Sequence, residues 1–117
     1  MKPRDLIAHV ARAFDVRVAD LTGRSRMSAI VEARQVACWV LRRACPALAL
    51  ADIGRLLHRD HTTVIYSLKQ VEQRLDIDPV YAAQLHSLLP QHPHRRPDHA
   101  MRWWVAQSRE SFFVRAA

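Results

Sequence analysis

Residues 58–69, HRDHTTVIYSLK, gather His58, Arg59, Asp60, His61, Thr62 and Thr63 in six consecutive positions. Side chains of these types ligate metals, move protons or hydrogen-bond to DNA. A His/Asp metal centre of the phosphohydrolase kind needs further ligands from other helices to close its coordination shell. His9 and Asp52 are the only convenient donors, and no spacing rule places either. Ser67 follows no nucleophile-elbow glycines, so a Ser-His-Asp triad has no support. The order His-Arg-Asp also occurs in kinase catalytic loops, yet the chain has no Gly-rich loop and too few residues for a kinase. There is no GxxxxGK(S/T) run to cradle a nucleotide phosphate. The stretch therefore reads as a recognition surface, and neither enzymatic activity nor a metal or other cofactor is expected.

The elements that position these residues can be read from the flanking pattern. Leu50 to Leu57 forms a short helix with Ile53, Leu56 and Leu57 inward. Residues 58–60 break it, and Asp60 is placed to cap the next helix by accepting from its free N–H groups. Val64, Leu68, Val71 and Leu75 then follow as the apolar stripe of a longer helix. A short helix, a tight turn and a longer helix make a helix-turn-helix unit, whose second helix enters the major groove by its N-terminal residues. These are His61, Thr62 and Thr63, which bear groups that bond base edges or phosphates. Asp60 can also accept from a cytosine amino group, and Lys69, two turns on, can reach a phosphate. Tyr66 is expected to be half-buried.

Upstream, Leu6, Ile7, Val10 and Phe14 line one face of a helix over Asp5–Phe14, and residues 16–21 connect it to a polar loop, TGRSRMS. A long helix over Ile30–Ala44 ends before Pro46, with Val36, Trp39 and Val40 in the core. Asp78-Pro79 is a second helix start, and Ala82, Leu85, Leu88 and Leu89 face inward behind it. Half of the 117 residues are apolar and only two are glycine, which suits a helical core and little else. The net charge of +7 points to a polyanionic partner. It is dense between Arg24 and Arg59, where seven arginines stand against two acids. Cys38 and Cys45 lie two helical turns apart, too far for a mutual disulfide, and are expected to be reduced, small apolar residues. The N-terminus lacks the apolar run of a signal peptide, and no apolar run approaches membrane-spanning length. A cytoplasmic, nucleoid-associated protein is expected.

The runs RDHTTVIYSLKQVEQRL, DIGRLL and IVEARQVACWVLRRA together resemble the C-terminal DNA-binding domain of the DnaA replication-initiator family. Asp-His-Thr-Thr-Val is that family's signature, and the similarity extends from about Leu6 to Leu89. It implies an all-α, Trp-repressor-like helix-turn-helix bundle that binds DnaA-box elements in duplex DNA. By position, Asp60, His61 and Thr62 would contact bases, Thr63 would lie near the backbone, and Arg59 is the signature arginine. Arg24 or Arg26 matches an arginine that enters the minor groove, the choice being open because the loop is slightly longer here. Arg42 would meet the backbone, and Arg34 and Gln35, the family's Arg-Gln pair, would approach phosphate. This sequence departs in having His58 where glycine is frequent, read as solvent-facing, and Ala33 where proline is usual. The family's ATPase module has no counterpart in these 117 residues, so the expectation is a stand-alone DNA-binding protein without ATP-driven activity.

The expected organisation is a helix-turn-helix domain over 1–89, a Pro/His-rich linker over 90–97 and an aromatic, helical tail over 98–117. His92, His94 and His99 are expected to be solvated rather than metal-bound. Trp103, Trp104, Phe112 and Phe113 are too apolar to be idle, and self-association or a protein partner is expected of them. The main functional expectation is control of replication initiation or transcription by occupancy of DnaA-box-like sites. The alternative is an adaptor that works through the aromatic tail, with DNA binding secondary.

Overall fold

The computed structural model describes residues 2–90, whose regular structure consists of six helices. They are α1 (Pro3–Ala13), α2 (Val18–Thr22), α3 (Ser28–Ala44), α4 (Leu50–Leu57), α5 (His61–Ile77) and α6 (Pro79–Ser87). The all-α expectation holds for these residues. The linker beyond Pro90 and the tail, with its histidines and with Trp103, Trp104, Phe112 and Phe113, lie outside the described residues.

Local chemistry explains most of the helix ends. Pro3 sits in the first turn of α1, where a missing N–H costs nothing, so the helix starts two residues before the periodic pattern does. It ends in a Schellman motif, with Asp15 left-handed at φ 56° and the Val16 N–H donating to the Ala11 carbonyl at 2.9 Å. The short helices α2 and α4 share a device. Asp20 accepts from the Arg17 N–H at 3.0 Å, and Asp52 accepts from the Ala49 N–H at 3.1 Å. The carboxylate of Asp52, weighed above as a metal ligand, is thus committed to starting α4, where it also pairs with Arg55. Asp78 ends α5 and caps α6 by accepting from the Tyr81 N–H at 3.0 Å, as its position before Pro79 predicted.

Helix α3 is the hub. It packs against α1, α2, α4 and α5, while α5 also carries α4 and α6. Val36, Ala37, Cys38, Trp39, Val40 and Leu41 of α3 are all buried, against Leu6 and Val10 of α1, Leu21 of α2, Ile53 and Leu57 of α4, and Val64 and Val71 of α5. The inward stripe of α5 centres on Val64, Ser67 and Val71, and Leu68 and Leu75 flank it half-buried. Both cysteines are free, and burial pushes the Cys38 thiol up to about 11, which makes it a packing residue at neutral pH.

One cluster ties α3 to α5 and α6. Arg74 of α5 donates to Glu32 of α3 at 2.8 Å, and its guanidinium lies over the Tyr81 ring of α6, 4.1 Å from the centroid. Deeper in, the rings of Trp39 and His86 meet at 5.5 Å. Burial, with Arg43 nearby, lowers His86 to about 4, so the imidazole packs there neutral.

Candidate nucleic-acid interface

The turn between α4 and α5 is built by backbone geometry. His58 adopts a left-handed conformation at φ 54°, the Arg59 N–H donates to the Gly54 carbonyl at 2.7 Å, and the His58 N–H donates to the Arg55 carbonyl at 3.3 Å. This is a second Schellman motif, and it turns the chain within three residues. Two residues make it possible. Gly54 gives the space, because a Cβ there would lie 2.4 Å from the Arg59 carbonyl oxygen. His58 occupies the left-handed position that favours glycine, which accounts for the frequent glycine noted at this site. Its side chain is exposed, as expected.

Asp60 opens α5 as its N-cap, but its side chain does not bond the first-turn N–H groups. It accepts instead from the Thr62 hydroxyl at 2.5 Å, and His61 Nδ1 stands 3.4 Å from its other oxygen. The Thr62 hydroxyl holds the Asp60 carboxyl below the usual carboxylate range, and His61 acts in the same direction. An ionised Asp60 thereby orients the Thr62 hydroxyl. With its O–H directed at Asp60, the Thr62 oxygen keeps its lone pairs free to accept, and the His61 ring stands beside the same carboxylate. His61, Thr62 and Thr63 are all exposed.

The basic loop lies against this turn. Arg59 donates to the carbonyls of His58 at 2.8 Å and Leu57 at 3.4 Å, and its other terminal nitrogen donates to the carbonyl of Gly23. Arg34 of α3, only 8% exposed, reaches the same loop from below. Its Nε donates to Leu21 at 2.8 Å, and its Nη2 faces the carbonyls of Asp20 at 2.9 Å, Ser25 at 3.1 Å and Gly23 at 3.2 Å. Arg34, expected to approach phosphate, is here engaged by backbone oxygens. Its buried charge is satisfied by backbone oxygens and holds the loop. Arg59, also expected to bind DNA, is half-buried and turned the same way.

The remaining predicted residues divide clearly. Arg24 and Arg26 are exposed on the pinned loop, and among the described residues neither has a hydrogen-bond or ion-pair partner. Lys69 is exposed on α5 and Gln35 is half-buried on α3. Arg42, exposed at the end of α3, donates to the Leu48 carbonyl at 3.2 Å and so sits beside the start of α4. Sequence reasoning misjudged Tyr66, which is 58% exposed rather than half-buried. Its spacing from Thr62 and Lys69 was the signal, since i, i+4 and i+7 share one helix face. Gly54 was passed over as well, although a glycine inside a helix invites the question of what approaches it.

The family described as bacterial dnaA protein helix-turn-helix matches residues 3–71. The chain belongs to the DnaA helix-turn-helix family. Chromosomal replication initiator protein DnaA of Clavibacter sepedonicus is 43% identical over 72 residues, covering 61% of this chain and 15% of that protein. DnaA of Rickettsia africae is 30% identical over 86 residues, covering 73% of this chain and 18% of that protein. A crystal structure of a DNA replication initiation factor superposes with a TM-score of 0.66 at 29% identity, covering 74% of this chain and 26% of that one. The chain thus spans less than a fifth of the length of these curated DnaA relatives. Within the family, the matched segment is its DNA-binding helix-turn-helix part and includes every residue named above as an expected DNA contact.

Proposed function

We propose that this DnaA-type domain binds double-stranded DNA sequence-specifically, at DnaA-box-like sites, and controls replication initiation or transcription by occupying them. One observation carries the reading: the exposed polar start of α5 sits beside a loop whose two exposed arginines have no hydrogen-bond or ion-pair partner among the described residues. In this arrangement His61 and Thr62 read base edges in the major groove with Asp60 holding the Thr62 hydroxyl, and Thr63 and Lys69 meet phosphates. Arg24 or Arg26 enters the adjacent minor groove, where narrow A·T tracts concentrate negative potential. Arg42 meets the backbone, as does Gln35. No chemistry on DNA is involved: the domain acts by occupying sites, in competition with a full-length initiator.

The test is a band-shift with a DnaA-box duplex and a scrambled duplex across a salt series. Preference for the box, with affinity falling linearly on a log–log salt plot, is the expected result. Equal, weak affinity for both duplexes overturns the proposal.

A further inference from the structure

The sequence marks seven arginines between Arg24 and Arg59 as one basic cluster. The fold gives them different work. Arg55 pairs with Asp52, and Arg43 lies over the Trp39 ring. Arg34 and Arg59 converge, from α3 and from the helix-turn-helix turn, on a single acceptor, the carbonyl of Gly23. Bringing two guanidinium groups together is unfavourable, and burial and the Arg59 charge both lower the pKa of Arg34. The arrangement persists because carbonyl oxygens of residues 20, 21, 23, 25, 57 and 58 surround the pair.

The loop has little else to hold it. Among the described residues, none of Gly23, Arg24, Ser25 and Arg26 makes a backbone–backbone hydrogen bond outside the helices. Within the loop itself, the Met27 N–H donates to the Ser25 hydroxyl at 3.3 Å. Gly23 is also pressed close to α2, since a Cβ there would lie 2.7 Å from the Ala19 carbonyl oxygen. The path of residues 23–26 is therefore set by two arginines and one close approach.

From this geometry we infer that Arg34 and Arg59 are positioning residues: their shared grip on the Gly23 carbonyl fixes the Arg24–Arg26 loop in register with the start of α5. The inference rests on the DNA-binding reading above and adds a division of labour to it. Arg24 follows Gly23 directly, and Arg59 directly precedes Asp60, so one hydrogen bond links the minor-groove loop to the major-groove helix. Ordering the loop before binding removes an entropy cost that inserting an arginine would otherwise carry. A lysine in either place keeps the charge but presents one nitrogen instead of a fork, so it cannot span the same carbonyls.

The two grooves can be tested separately. Replacing adenine by 2,6-diaminopurine adds an amino group in the minor groove and leaves the major-groove edge of the A·T pair unchanged. The wild-type chain should lose about tenfold in affinity when the A·T pairs at the loop's end of the box are replaced in this way. The Arg34→Lys and Arg59→Lys variants should lose most of that discrimination while still rejecting a G·C exchange at the base pairs read by His61 and Thr62. Combining Arg59→Lys with Arg24→Ala and Arg26→Ala should then cost no more affinity than the loop substitutions alone. A role in stability only would weaken all duplexes alike, which circular dichroism and urea unfolding of each variant would register. Should Arg34→Lys fail to fold, Arg59→Lys, at a half-buried site, carries the experiment. Retained minor-groove discrimination in a folded Arg59→Lys variant overturns this inference and leaves the DNA-binding reading standing. A wild-type chain that distinguishes neither the modified nor the scrambled duplex overturns both.

Discussion

Gly54→Ala tests whether the turn geometry governs both stability and recognition. A methyl at position 54 meets the Arg59 carbonyl oxygen at 2.4 Å, and the next atoms, at 3.5 and 3.6 Å, are also backbone. No side chain can swing away, so the turn itself must open. Opening it breaks the 2.7 Å bond from the Arg59 N–H to the Gly54 carbonyl, worth about 1 kcal/mol. Residues 58–60 must then be forced into less favourable conformations, at a cost of roughly 1–3 kcal/mol. Alanine returns about 1 kcal/mol through its better helix propensity. The net loss is about 2 kcal/mol, readable as a lower urea midpoint with an unchanged m-value. Binding should suffer beyond this, because Asp60 and His61 directly follow the displaced carbonyl, and a weakening of tenfold or more is expected in a band-shift on the folded variant. A variant within about 0.5 kcal/mol of wild type, binding the box equally well, would refute the argument that this contact fixes the recognition helix.

His58→Gly acts on the same turn in the opposite direction. Relief of the left-handed strain, about 1–2 kcal/mol, exceeds the added unfolded-state entropy of glycine, so thermal unfolding should show a gain of roughly 0.5–1 kcal/mol with DNA affinity unchanged. His61→Ala or Thr62→Ala should each cost about 1–3 kcal/mol of binding to the box and relax its sequence preference in competition band-shifts. Arg42→Ala should weaken binding to all sequences alike and make the salt slope shallower; a changed preference would show that the division between base and backbone contacts is wrong. His86 predicts a pH effect. Its folded value of about 4 lies below its ordinary 6.5, so the unfolded chain binds the proton first as pH falls. Its contribution to stability is complete above pH 6.5 and is lost between there and pH 4, to the extent of about 1–2 kcal/mol once screening at a half-exposed site is allowed for. Urea unfolding across that window should therefore be flatter with pH for His86→Gln than for wild type.

Much of this protein was legible in the sequence because its signals are local. Helix periodicity, the Asp78-Pro79 start and the polar break at 58–60 depend on near neighbours, and the α4 boundaries were read residue for residue. The recognition segment was legible for the same reason, since its polar residues crowd the first turn of an otherwise apolar-striped helix. Helix starts at α1 and α3 fell two residues early of the reading because Pro3 and Ser28 lie outside the apolar pattern.

What the sequence alone could not assign was the work of each charge. Arg24, Arg26, Arg34 and Arg59 are the same residue type in one basic stretch, and composition gives each an equal claim on phosphate. Their roles depend on which carbonyls lie within reach after α2, α3 and the helix-turn-helix turn have packed. That packing buries Arg34 and turns Arg59 back onto Gly23, 36 residues away in the chain, and it leaves Arg24 and Arg26 facing outward. Hydrophobic patterning is encoded residue by residue along a helix. The partner of a long, flexible guanidinium is a matter of tertiary distance.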